Sequence, residues 1–174
     1  MYTRKVKPHE QDWLLESLSQ AGFDDGISFR ARQYTLVIED GSKVGFGKLR
    51  PLNCEDYAVI ENVYYDPQSE MTSVRSLLFE ALLDFAYEEE YTRVLYFQGV
   101  PPKHIPFHSY SPTDKAEIEV LEHESMTHER GYEISVADWL EFKTSYSDNL
   151  RKLASEFGYD ENATTKYSVN STKN

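Results

Sequence analysis

Four of the five histidines, His104, His108, His123 and His128, crowd into one stretch, as the ligands of a metal site would. Their spacing argues against one. His123 and His128 are five residues apart, which on a helix turns the rings about 140° from each other, whereas the zinc pattern His-Glu-x-x-His keeps both on one face. Glu124 and His128 do share a face and read as an i,i+4 pair. The single cysteine, Cys54, excludes an intrachain disulfide and a multi-cysteine zinc site, and its neighbours Asn53 and Glu55 bring no positive charge to stabilise a thiolate. No Gly-x-Ser-x-Gly elbow and no Walker loop is present. The expectation is therefore a chain with no metal and no activated nucleophile. Aromatic residues are the other abundance. Tyr64, Tyr65, Tyr87, Tyr91, Tyr96 and Tyr110 mark either a contact surface or half-buried packing with the hydroxyls in water.

Positioning any of these groups requires a fold, and the chain has the means to build one. Its 174 residues amount to roughly one domain. Hydrophobic residues are 40% and aromatics 14%, which excludes a disordered chain although the mean hydropathy is −0.62. Lys and Arg number 18 against 30 Asp and Glu, a net charge of −12, so nucleic acid and anionic membrane are not expected partners. No apolar run reaches the ~18–20 residues of a membrane span, and the first ten residues lack the apolar core of a signal peptide. Those features predict a soluble, cytoplasmic, acidic protein.

Tyr2–Lys7 alternates like a short strand, and Glu10–Gln20 sets Trp13, Leu14 and Leu18 at helical spacing before Gly22. Arg32–Glu39 and Lys43–Leu49 flank the turn Asp40-Gly41-Ser42 as a hairpin, with Gly45 and Gly47 marking a bulge or a close backbone approach. Asp56–Tyr65 predicts a longer strand. In Thr72–Glu90, Val74, Leu77, Leu78, Ala81, Leu82, Phe85 and Ala86 form one wide apolar helix face. Thr92–Phe97 reads as a buried strand, Val100–Asp114 as a long proline-rich loop, Ala116–Glu129 as a helix and Gly131–Val136 as a last strand. Trp139, Tyr146, Leu150, Leu153 and Phe157 step by seven, four, three and four. That stripe predicts a helix from about Ser145 to Phe157, buried on its own domain or paired with a second chain. The expected organisation is a domain over 1–143, an amphipathic helix over 144–158 and a polar, disordered tail over 159–174.

This order of elements resembles the GNAT N-acetyltransferases over roughly Lys5–Val136. Lys5-Val-Lys-Pro with Asp12-Trp-Leu-Leu looks like that family's first strand and helix. Ala58-Val-Ile-Glu-Asn-Val-Tyr-Tyr-Asp-Pro67 looks like its central strand, Ser76-Leu-Leu-Phe-Glu-Ala-Leu-Leu like the following helix, and Glu129-Arg-Gly-Tyr-Glu133 like its late Gly-Tyr-Glu turn. The resemblance implies a mixed, mostly antiparallel sheet of the α/β (α+β) class flanked by helices, with a C-terminal helical extension. It also implies coenzyme A chemistry. Glu61 falls where some members carry a glutamate base, an alternative to a rim carboxylate. Backbone amides near Val63 and Tyr65 would pair with a pantetheine arm. The family's tyrosine acid and an associated asparagine would fall at Thr127 and Val120, neither of which fits.

The coenzyme loop departs furthest. The family pattern Arg/Gln-x-x-Gly-x-Gly/Ala uses glycines and helix N-terminal amides to wrap a pyrophosphate. Here Glu70 takes the Arg/Gln position, and Ser73 and Arg75 take the glycine positions. A carboxylate ~4 Å from a phosphate costs up to about 4 kcal/mol at an effective dielectric of ~20. Two readings follow. In one the fold has lost ordinary acetyl-CoA binding, needs no cofactor and serves as a binding or assembly module, through a homodimer or a protein partner. In the other an atypical acyltransferase holds acetyl-CoA with Val63, Tyr65, Ser73 and Arg75, and Glu61 is its base.

Overall fold

In the hairpin that joins Tyr34–Glu39 to Ser42–Pro51, Asp40 and Gly41 both take positive φ (48° and 81°), the type I′ geometry that matches strand twist. The computed structural model describes residues 1–23, 25, 29–53, 56–111 and 131–156. The expected helix over Ala116–Glu129, the sites at Cys54, Val120, His123, Glu124, Thr127 and His128, and the tail over 159–174 lie outside the described residues.

The strands are β1 (Tyr2–Lys5), β2 (Tyr34–Glu39), β3 (Ser42–Pro51), β4 (Tyr57–Tyr65), β5 (Arg93–Tyr96), β6 (His108–Tyr110) and β7 (Gly131–Ser135). The helices are α1 (Gln11–Gln20), α2 (Met71–Glu88) and α3 (Val136–Glu156). Among the described residues the strands form one sheet in the order β1-β2-β3-β4-β5-β7-β6. In that sheet only β4 and β5 run parallel, from Tyr57↔Arg93 to Ile60↔Tyr96, and α2 is the crossover between them. β6 is a strand inside the proline-rich loop that the sequence reading did not resolve; it pairs antiparallel with β7 through Ser109↔Tyr132.

Two apolar layers cover the sheet. Leu14 and Leu18 of α1 pack with Tyr34, Leu36, Ile38 and Phe46 on one face. On the other, α2 buries Val74, Leu78, Phe79, Leu82, Leu83 and Ala86. Gly45 and Gly47 are the close approach that the sequence marks. A Cβ on Gly45 would stand 2.9 Å from Val74 Cγ1, and one on Gly47 3.0 Å from Leu82 Cδ1. The bulge is there too, as shifts in both the β2–β3 and β3–β4 registers.

The chain divides into two units, Met1–Trp139 and Leu140 onward, with α3 crossing the boundary. The helix begins nine residues before the expected Ser145, at Val136. Its cap is Ser135, whose Oγ accepts from the Asp138 amide at 3.0 Å, the same Ser-x-x-Asp pattern that occurs again at Ser145 and Asp148. In the first unit, Trp139 is buried and its Nε1 donates to Asp84 Oδ1 at 3.0 Å. In the second, Phe142 stacks on Tyr146 with ring centroids 5.9 Å apart.

Candidate functional site

β4 outruns its partner. Pairing with β5 stops at Ile60↔Tyr96, yet β4 continues to Tyr65. The β5-side edge of 61–65, including the backbone of Val63 and Tyr65, therefore has no strand partner among the described residues. An extended ligand could add to that edge as a strand would.

A bulge sits in the same segment. Lys48 pairs with Glu61 and Phe46 with Tyr64, so two β4 residues, Asn62 and Val63, stand opposite Gly47. Asn62 takes φ +52° to make the turn. One extra residue changes the parity of the strand. Glu61 consequently faces the α1 side beside Lys48, while Tyr65 pairs with Gly45, whose missing side chain would point at Val74 of α2. The structure thus separates Glu61 from Tyr65, and it brings Tyr65 and Arg75 together near Tyr96. The Arg75 guanidinium lies 5.9 Å from the Phe79 ring centroid, and Phe79 meets Tyr96 edge-on at 5.0 Å. Burial raises the Tyr96 hydroxyl above its usual range, and Arg75 opposes that shift. Ser73 lies in the first turn of α2 and is partly exposed.

The turn leading into α2 is closed on itself. Asp66 Oδ1 accepts from the Gln68 amide at 2.8 Å, and Asp66 O accepts from both the Ser69 amide (3.0 Å) and the Ser69 hydroxyl (2.6 Å). Glu70 is the N-cap and makes no side-chain capping bond. Two carboxylates, Asp66 and Glu70, therefore stand at a helix terminus that would otherwise favour an anion.

On the α1 face is a charged cluster that the sequence reading missed. Lys48 is fully buried, with Nζ 2.6 Å from Asp25 Oδ1 and 3.5 Å from Glu61 Oε1. Tyr34 donates to Asp25 Oδ2 at 2.7 Å and accepts from Asn62 Nδ2 at 2.9 Å. Burial and Asp25 together hold the Tyr34 proton far above the ordinary tyrosine range. Arg50 grips Glu61 through Nε–Oε1 (2.7 Å) and Nη2–Oε2 (3.3 Å). With both oxygens committed to a permanent cation, Glu61 is better arranged to hold the strand pair than to accept a substrate proton. The available signal was phase: Lys48 and Arg50 share the inward-facing parity of Phe46 on β3.

Among the described histidines, His104 Nε2 lies 2.9 Å from Glu80 Oε1 and His108 is exposed on β6. Among the described residues no group of three or more His, Cys, Asp or Glu is placed to hold a metal. Nor is any described helix long and apolar enough to cross a membrane.

Neither a family model nor a curated protein matches this sequence. Solved structures do. N-acetylglutamate synthase from Neisseria gonorrhoeae, complexed with coenzyme A and N-acetyl-glutamate, superposes with a TM-score of 0.60 at 14% identity over 77% of this chain. Rv2747 from Mycobacterium tuberculosis, in complex with CoA, gives 0.59 at 15% identity over 78% of this chain and 99% of its own. A putative acetyltransferase from Exiguobacterium sp. 255-15 gives 0.54 at 14% identity over 80% and 95%. The chain has the GNAT fold. It spans 34% of the Neisseria synthase, so that likeness concerns one part of a larger protein. The unpaired edge of β4 and the turn before α2 are adjacent in sequence.

Proposed function

We propose that this GNAT-fold protein has given up ordinary acetyl-CoA binding and works as a non-catalytic binding or assembly module. The observation that carries the reading is the turn before α2, where Asp66 occupies the Gln68 amide and Glu70 stands at the N-cap. A diphosphate there would meet two carboxylates where a binding loop presents unpaired amides. The grip of Arg50 on Glu61 points the same way, since it occupies the carboxylate that the resemblance marks as a base. The partner under this reading is a protein rather than nucleic acid or membrane, in keeping with the charge of −12 and a cytoplasmic setting.

Calorimetric titration with acetyl-CoA tests it. The expected result is no dissociation constant below about 100 µM, and a micromolar constant would overturn the proposal. Glu70→Gln combined with Ser73→Gly should bring measurable binding back, because it removes the repelling charge and opens the backbone of the first turn of α2 to a phosphate.

One observation favours the alternative, an acyltransferase acting on an amine drawn in by the acidic surface. The unpaired edge at Val63 and Tyr65 is retained, and its backbone would pair with an acyl-CoA arm whatever the side chains. If acetyl-CoA binds, Arg75→Ala should weaken affinity and Glu61→Gln should slow turnover.

A further inference from the structure

Ala81, Asp84, Phe85 and Glu88 recur at helical spacing and form one stripe along α2. Facing that stripe, Thr3 and Lys5 share a parity on β1, and Lys5 pairs with Thr35 of β2. With Arg4 these residues line a cavity of about 210 Å³. It is smaller than the pockets that take drug-sized ligands, so it suits a molecule of a few heavy atoms.

Lys5 is the nucleophile in that cavity. Its Nζ lies 2.8 Å from the centroid of the Phe85 ring and donates to the Thr35 hydroxyl at 3.2 Å. Burial lowers the ammonium from 10.5 to about 8, outweighing the attraction of Glu88 and Glu89. The other charged groups at the cavity have partners of their own, Arg4 in Glu10 and Asp84 in Trp139. At pH 7 about one Lys5 amine in ten is then neutral, against roughly one in 3,000 for a lysine in water. The surroundings also select what the amine would take up. An acyl group would leave a neutral amide and carbon dioxide an anionic carbamate, and either would remove the positive charge from the face of Phe85. A carbonyl compound leaves an iminium, which keeps that charge beside the ring and within reach of Glu88. The hydroxyls of Thr3 and Thr35 suit a hydroxyl on the same small molecule.

We propose that Lys5 captures a short hydroxyaldehyde, which enters the cavity between β1, β2 and α2 and forms a reversible imine there. The neutral Nζ adds to the carbonyl carbon, so an N–C bond forms as the C–O π bond breaks, and a nitrogen proton passes to the oxygen. The hydroxyl of that carbinolamine then leaves with a solvent proton as water, and the iminium remains. No oxidant or reductant takes part. In the sheet order β1 and β2 are separated from β4 by β3, so the capture does not depend on whether coenzyme A binds.

Incubating the full chain with glycolaldehyde and cyanoborohydride, which reduces the iminium to a stable amine, lets peptide mass mapping read the rate at each lysine. At pH 7 Lys5 should react on the order of tenfold faster than the exposed Lys103. Its rate should level off above about pH 8, whereas a lysine amine in water keeps gaining to about pH 10. Propionaldehyde, the same size without the hydroxyl, should show a smaller preference for Lys5. Ala81→Leu fills part of the cavity and should slow Lys5 several-fold while leaving Lys103 unchanged. If that variant does not fold, the preference and pH profile of the wild-type chain decide alone. Lys5 reacting no faster than Lys103, or a rate that climbs past about pH 10, refutes the capture site. Equal preference for the two aldehydes refutes the hydroxyaldehyde, and an unchanged rate in a folded Ala81→Leu variant refutes the cavity.

Discussion

Lys48 shows what a single buried charge demands of its surroundings. Its ammonium is out of water, held by Asp25 at 2.6 Å and more loosely by Glu61 at 3.5 Å. Removing one partner of a buried pair commonly costs about 3–5 kcal/mol, because the other charge is stranded. Asp25→Asn should therefore destabilise the protein by about 3 kcal/mol, the lower end, since Glu61 remains. Lys48→Met in the same background should recover most of that loss, because it removes the stranded ammonium. Denaturant unfolding of the single and double variants measures both. Should Asp25→Asn prove neutral, the Lys48 pair contributes nothing to holding Asp25 against the sheet.

At the scale of the element, β3 and α2 are fitted to each other by absence. Gly47 presents backbone to Leu78 and Leu82, with a Cβ position 3.2 Å and 3.0 Å from their methyl carbons. Gly47→Val would place two further carbons in that space and should cost about 1–3 kcal/mol by overpacking. Leu82→Ala in the same chain should offset part of the loss, a coupling that a double-mutant cycle reads directly. Strict additivity would mean that the two residues do not touch. The same glycine faces the β4 bulge, so its small size serves both the helix contact and the turn of parity at Asn62.

For the whole molecule, stability against pH is set by a few coupled groups. Arg4 binds both oxygens of Glu10 at 2.7 Å, and this, against the opposing effect of burial, holds the Glu10 carboxyl well below the usual range. A lowered folded pKa gives stability that is present above the unfolded value and lost as pH falls. Glu10→Gln should flatten the acid limb below about pH 4.5. Lys5 follows the same sign in a higher pH window, with burial as the cause. Burial lowers it from 10.5 to about 8, so the unfolded chain binds the extra proton between those values and stability rises with pH from about 8. The buried hydroxyls of Tyr34 and Tyr96, both raised, reverse the trend above about pH 10 as the unfolded chain ionises first. Thermal melts across pH should show that shallow alkaline maximum, and Lys5→Met should abolish its rising side.

The amphipathic face of α2 and the Asp40-Gly41 hairpin are both legible in the sequence. Each is written in local periodicity or in a turn that only certain residues accept. That no glycine lies between Asp66 and Val74 is likewise read directly from residue identity. The sequence reading starts the last helix at about Ser145, whereas the structure uses the equivalent cap at Ser135, and Trp139 of that first turn bonds Asp84. The cluster of Lys48, Asp25, Tyr34 and Asn62 draws on a loop and three strands, joining residues as far apart in sequence as Asp25 and Asn62. Nothing local announces it. The bulge at Asn62 is likewise a property of two strands, since it exists only as a mismatch of register between β3 and β4. That mismatch decides which face receives Glu61 and which receives Tyr65. Side-chain parity in a strand is local, but a register shift is a pairing between distant segments, so the layout of the site belongs to the tertiary structure alone.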